Sequence, residues 1–225
     1  MDNLQVTAYL STPLSTDLFS PNLDALLYRL WLEEKGLYNP NVKRTEDVIK
    51  ADVPIKLIEE KGYQYYSVSA PHFIILNEQN TRYRRRWDYQ EHHCDFGKKK
   101  AKVDTQQGNT KSCDLPLRLI ETNRIDWFCN GDKSEIDRLL SSVTNIGKKI
   151  SQGFGQVFRW QSQVVEDDFS VWQDKRLMRI LPAELIPEHL KERYPLRAWT
   201  YHPPYFLPEN KALCAMPANT RSALN

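Results

Sequence analysis

Ile146-Gly147-Lys148-Lys149-Ile150-Ser151-Gln152-Gly153-Phe154-Gly155-Gln156-Val157 is the stretch on which the reading of this chain turns. Three of the eight glycines in the sequence fall here, beside two adjacent lysines. Glycine serves where the backbone must take a positive φ or let a partner approach closely. A loop of this make-up can present backbone N–H groups and two ammonium groups to a chain of phosphates. Upstream, Ile136, Leu139, Leu140 and Val143 recur at helical spacing, which predicts a helix over 134–143 with Ser134 as its N-cap. Downstream, residues 156–160 are short, β-branched and aromatic, the composition of a strand. The order is therefore helix, glycine loop, strand. Nucleotide-binding loops of the Walker A and dinucleotide kinds run from strand to helix, and neither G-x-x-x-x-G-K-[ST] nor G-x-G-x-x-G is present. That argues against a mononucleotide site. The bland alternative is that Gly147 ends the helix while Gly153 and Gly155 only shape a turn. A cap alone does not call for paired lysines and two further glycines.

Working outward, Leu4, Val6, Ala8 and Leu10 alternate with polar residues, the period of a half-buried strand that ends at Ser11-Thr12-Pro13. Leu23, Leu26, Leu27, Leu30 and Trp31 predict a core-facing helix over 23–37, with Gly36 at its C-terminus and Asp24 as a first-turn acid facing the helix dipole. Residues 55–58 and 63–68 read as a hairpin turning at Lys61-Gly62, and 73–76 as a further strand. A pair of strands around Glu121-Thr122-Asn123-Arg124 precedes the second helix. Strand, helix, strands, helix, strand is a split βαβ skeleton. Past Trp160, a short helix is expected from Pro187, and the proline-rich end, with Pro195, Pro203, Pro204, Pro208 and Pro217, is expected to be extended or irregular.

Residues 78–114 read as an excursion from this domain. Arg82, Arg84, Arg85, Arg86, Lys98, Lys99 and Lys100 crowd into it, with Tyr83, Trp87, Tyr89 and Phe96 interleaved and few aliphatics to build a core. Guanidinium forks suit phosphates and flat rings suit splayed bases, so a basic, aromatic hairpin points to single-stranded nucleic acid. His92-His93-Cys94, with Cys113 downstream, matches no familiar structural-zinc spacing and is read as exposed loop, so neither metal nor cofactor is expected.

The whole chain has 225 residues, 40% of them hydrophobic and 27% charged, with a net charge of +2. That is enough for one compact domain with elaborations. The net charge is too small to mark a nucleic-acid binder, so the local placement of charge decides. Four scattered cysteines without a secretory signal predict a reduced, cytoplasmic setting, and no apolar run approaches a membrane span.

A helix followed by G-x5-G-F-G-x-V, carried here by Gly147, Gly153, Phe154, Gly155 and Val157, resembles the glycine-rich loop of the RAMP superfamily, the ferredoxin-like RNA-binding proteins of CRISPR systems. The opening strand, Thr12-Pro13, Leu23-Asp24-Ala25-Leu26-Leu27 and the late Pro203-Pro204-Tyr205-Phe206 look like the third Csf subunit of type IV CRISPR effectors, a Cas-five-like member of that superfamily. The resemblance implies an α+β fold over residues 1–225. Its parts would be a ferredoxin-like (RRM-like) palm, an inserted basic thumb hairpin at 78–114 and an irregular C-terminal extension at 161–225. It implies a scaffold that holds the 5′ handle of the crRNA and caps the ribonucleoprotein. Its partners would be a repeated backbone-forming Csf subunit, a large Csf subunit and, through the complex, target DNA whose adjacent motif it could help read. The residues expected at the RNA are Gly147, Lys148, Lys149, Ser151, Gln152, Gly153, Phe154 and Gly155 in the loop, and Arg82, Arg84, Arg85, Arg86, Trp87, Lys98, Lys99 and Lys100 in the thumb. The competing reading is a metal-independent endoribonuclease that trims precursor crRNA, which needs a general base and acid beside the phosphate. His72, His92 or His93 with Tyr83 or Lys148 would be its candidates, and no spacing among them marks a base.

Overall fold

The computed structural model describes residues 1–17, 19–39, 49–86, 106 and 111–217. The chain is a mixture of α-helix and mostly antiparallel sheet. In order its regular elements are β1 (Asp2–Leu10), β2 (Leu14–Ser15), α1 (Leu23–Glu34), β3 (Leu57–Glu60), β4 (Tyr63–Tyr66), β5 (His72–Phe73), β6 (Asn77–Arg85), β7 (Cys113–Glu121) and β8 (Arg124–Gly131). There follow α2 (Lys133–Leu140), β9 (Val157–Val164), β10 (Trp172–Gln173), β11 (Arg176–Leu177), β12 (Leu181–Pro182), β13 (Leu196–Thr200) and β14 (Lys211–Ala215).

The central sheet has the order β5-β8-β1-β9, with β1 antiparallel to both neighbours. Alternation along β1 decides which face is dry. Leu4, Val6 and Ala8 point to one side, where they meet Leu23 and Leu27 of α1, Ile136 and Leu140 of α2, and Ile125 and Trp127 of β8. Each fully buried aliphatic of this kind stabilises the fold by about 1.5–3 kcal/mol. Gln5, Thr7 and Tyr9 line the opposite side, where Thr7 and Asp126 are buried and Phe128 packs on Phe169, so that the open part of this face lies along β9 at Arg159, Gln161 and Gln163.

Helix ends follow local chemistry. Asp132, and not the expected Ser134, caps α2, its carboxylate accepting from the Ser134 and Glu135 amides; α2 stops at Leu140, short of Val143. Aspartate competes well for this position because its acceptor is already charged and meets the positive end of the helix. At the end of α1, Gly36 takes φ +66° and the Leu37 N–H turns back to Leu32 O at 2.8 Å, which is the helix stop read from Gly36. The hairpin of β3 and β4 turns at Lys61 and Gly62, both at positive φ, as read from sequence. The strand expected over 73–76 is only the two-residue β5, since Ile74, Ile75 and Leu76 lie outside any strand.

Besides the β3–β4 hairpin, three further antiparallel sheets among the described residues are built on this frame. β2, β7 and β6 form one, β10 and β11 a second, and β12, β14 and β13 a third. The last corrects the expectation of an irregular tail. Pro195, Pro203, Pro204 and Pro208 fall outside the strands, so the missing N–H groups never interrupt the β13–β14 ladder. The tail instead has its own core of Leu177, Leu181, Leu185, Ile186, Leu190 and Ala215, closed against Tyr65 of β4.

Asp24 stands in the first turn of α1, as read from sequence, but it has partners that the sequence did not announce. It is fully buried, and the Tyr205 hydroxyl lies 3.0 and 2.8 Å from its two carboxylate oxygens. Arg179 stands 3.6 Å away and donates to the Tyr66, Val68 and Tyr201 carbonyls at 2.5, 2.9 and 2.6 Å. Burial, and then the Asp24 charge, push the Tyr205 phenol well above its usual range, which keeps its proton on as a donor.

Candidate nucleic-acid interface

The glycine loop joins α2 to β9, in the order read from sequence. Asn145 bridges Gln156 across its neck, and the Ile146 N–H donates to Gly155 O at 2.9 Å. Gly147, Lys149, Gly153 and Gly155 take φ of +88°, +59°, +85° and +64°, with a single 3₁₀ turn, Ile150–Gln152, between them. Close approach makes Gly155 obligatory, because a Cβ there would stand 1.9 Å from Ile146 O. Gly153 faces open space, so backbone sign alone favours glycine there.

Much of the loop is strapped to the turn that follows β1. Lys148 N–H donates to Ser15 O at 2.7 Å, Gly155 N–H to Pro13 O at 2.9 Å, and Gln156 N–H to Thr12 Oγ1 at 2.9 Å. The Gln152 and Gly153 amides close the 3₁₀ turn on Lys149 and Ile150 carbonyls. These five amides are satisfied inside the protein. What the loop turns outward is chiefly the exposed run of Gly147, Lys148, Ile150, Ser151, Gln152 and Gly153, while Phe154 is half-buried and Gly155 buried.

The two basic features separated in sequence meet in space. Lys149 is half-buried, with its Nζ 3.7 Å from the centroid of the Tyr83 ring on β6. Lys148 remains exposed, with Nζ 3.4 Å from Asp17 Oδ2 in a pair open enough to be worth at most about 1 kcal/mol. β2 brings this about: Ser15 accepts from the loop on one side while Leu14 and Ser15 pair with Ile120 and Leu119 of β7 on the other. β7 in turn carries β6 along nine paired positions.

Along that hairpin some guanidinium groups are already engaged. Arg82 Nε lies 2.8 Å and Arg84 Nε 3.3 Å from the Asp114 carboxylate, which the Arg82 hydrogen bond, helped by the charge of both guanidinium groups, holds below the usual range. Arg85 donates through Nε and Nη2 to Lys111 O at 3.0 and 2.8 Å. Arg118 pairs with Glu78. Arg86 is exposed at the end of the described strand. Trp87, Lys98, Lys99 and Lys100 lie outside the described residues, as do His92, His93 and Cys94. Sequence patterning could not show the Asp114 pairing, which depends on cross-strand register.

His72 sits on β5 with its ring edge-on to Phe128 at 5.5 Å. Burial, assisted by the Arg176 charge and opposed by Asp126, pushes its pKa down to about 4. It is therefore a neutral and weakly basic imidazole at neutral pH. Among the described residues no three His, Cys, Asp or Glu side chains converge to hold a metal ion, and no helix is long and apolar enough to cross a membrane.

Sequence reasoning passed over a cluster formed by Tyr9, Phe158 and Arg159 at the β9 edge of the sheet face opposite α1 and α2. A bulge between Tyr9 and Leu10 pairs Tyr9 with Arg159 and Leu10 with Val157, which leaves Phe158 as the extra residue. Strict alternation with Trp160 would have assigned Phe158 to the core.

Residues 74–217, well over half of the chain, match the family described as CRISPR type IV associated protein Csf3. No curated protein matches the chain.

Proposed function

The chain belongs to the Csf3 family of type IV CRISPR-associated proteins, and from that premise we propose that it is the guide-RNA-binding scaffold subunit that holds the crRNA 5′ handle and caps its end of the ribonucleoprotein. The observation that carries the reading is the stacking of Lys149 on Tyr83, which joins the glycine loop to the basic hairpin in one continuous surface. An extended polyanion laid across it would meet Lys148, the ammonium of Lys149 and, further along, Arg84 and Arg86, most of them solvated and able to exchange counterions for phosphates. The sheet order β5-β8-β1-β9, with α1 after β1 and α2 between β8 and β9, supports a ferredoxin-like palm of the RAMP kind, with β6 and β7 as the root of its thumb.

In this role the protein binds and positions RNA without turning it over. Its neighbours in the particle would be the repeated backbone-forming Csf subunit and the large Csf subunit, with target DNA engaged through the assembly and its adjacent motif read close to this end. The test is binding of repeat-derived RNA by the purified chain across a salt series. Wild type should bind the handle more tightly than an unrelated RNA of equal length. The Lys148→Glu, Lys149→Glu variant should bind at least about ten-fold more weakly, with a shallower slope of log affinity against log salt. Equal affinity of the two proteins would remove the loop from the site. Specific cleavage of the RNA in the presence of chelator would replace the scaffold role with the endoribonuclease one.

A further inference from the structure

We propose that the open β9 edge of the sheet face opposite α1 and α2 carries a second contact, in which Phe158 stacks on one unpaired nucleobase of the same RNA while Arg159, held on Tyr9, meets the adjoining phosphate. This rests on the RNA-binding reading and extends it to a base-stacking subsite at the exit of the glycine loop.

Phe158, on the edge strand β9, is 65% exposed, a high value for a phenylalanine. Its ring is not loose on the surface. Its centroid lies 6.0 Å from that of Tyr9 at an interplanar angle of 48°, and the Arg159 guanidinium lies over the Tyr9 ring at 4.0 Å. Tyr9 is further oriented by its hydroxyl, which lies 3.3 Å from Gln161 Oε1. The bulge delivers Phe158 and Arg159 to this face together, where a regular strand would have sent them to opposite faces.

The occupant follows from the surroundings. A protein partner large enough to bury Phe158 in a dry patch would find few apolar neighbours here. Along β9 the same face continues with Gln161 and Gln163, and Gln163 donates to Gln5 at 2.8 Å. Asp126, a carboxylate on this face of β8, is already met by Thr7 at 2.6 Å, Gln5 at 3.1 Å and Arg124 at 3.1 Å. One exposed ring, one oriented cation and a row of primary amides suit the flat face, phosphate and polar edge of a nucleotide. Phe158 follows Gly155 by three positions, so a strand leaving the loop needs no long detour to reach it.

The test uses the full-length chain with a fluorescently labelled, unstructured single-stranded RNA, and with the same RNA carrying 4-thiouridine for crosslinking. Phe158→Ala should weaken binding about ten-fold, the scale of one lost base stack, and leave the salt slope unchanged because no phosphate contact is removed. Phe158→Trp should bind like wild type, whereas Phe158→Leu, apolar but without a π-face, should resemble Phe158→Ala. Crosslinks should map to Tyr9 or Phe158. Leucine binding as well as phenylalanine, or alanine without effect while Lys148→Glu, Lys149→Glu remains impaired, would overturn the stacking subsite and leave the loop reading standing. Failure of the wild type to bind any single-stranded RNA would overturn both. Retained RNA affinity with loss of a co-purifying Csf subunit would make the face a protein contact instead.

Discussion

At Gly155 and Gly153 the same residue type answers two different physical demands, and they should be separable by experiment. A methyl group at Gly155 collides with the Ile146 carbonyl at 1.9 Å, a backbone atom that cannot swing aside. At Gly153 it meets nothing and only the left-handed φ of +85° opposes it. Gly153→Ala should therefore cost about 1–2 kcal/mol in urea denaturation, and Gly155→Ala clearly more. His72 supplies a second residue-scale expectation. Its folded pKa of about 4 lies below the ordinary 6.5, so the native state favours the neutral ring. That contribution is complete above pH 6.5 and is lost as pH falls toward 4, because the unfolded chain takes up the proton first. Thermal stability should decline across that window, and His72→Gln should flatten part of the decline. Part should remain, since His202 is also shifted down by burial.

At the scale of elements, the junction between α1 and the C-terminal sheet depends on a buried charge. Asp24 and Arg179 are 0% and 4% exposed, and between them they tie the start of α1 to β4, to Val68 just beyond it and to the segment after β13. Arg179→Ala would strand the Asp24 carboxylate with the Tyr205 hydroxyl and the Ala25 amide as its nearest donors. The expected loss is about 3–5 kcal/mol, read from the denaturation midpoint. Asp132→Ala tests a milder element boundary. Removing the carboxylate that accepts from Ser134 and Glu135 amides should cost about 1 kcal/mol. Both junctions are distant from the glycine loop in function, so RNA affinity of the folded fraction should hold.

For the molecule as a whole, β6 is mostly exposed and β7 is partly buried only toward Ile120, while the main core is drawn from the central sheet, α1 and α2. Replacing residues 80–118 with a tight turn keeps the pairs of β2 with Leu119 and Ile120, and of Asn77 and Glu78 with β7. The shortened protein should retain a cooperative transition close to that of the full chain. Its RNA affinity should fall and its salt slope become shallower, because Arg82, Arg84, Arg85 and Arg86 leave together. Equal affinity before and after would confine binding to the loop and sheet face.

Local patterning was enough for some of this. The alternation in β1, the apolar stripes of α1 and α2, the Lys61-Gly62 turn, and the helix-loop-strand order around the glycines are all set by neighbours a few residues away, and each was legible as such. The match to Csf3 agrees with the family those motifs pointed to. What depended on distant partners was not legible. Asp24 was legible as a first-turn acid but its burial was not, because nothing near it in sequence announces Tyr205 or Arg179. The prolines of the tail suggested irregular chain because their placement between strands shows only once β13 and β14 are paired. Lys149 came to lie on Tyr83, and Phe158 to face outward, through a two-residue strand and a one-residue bulge. Periodicity reports which face a side chain should take when a strand is regular; cross-strand register decides where it goes when the strand is not.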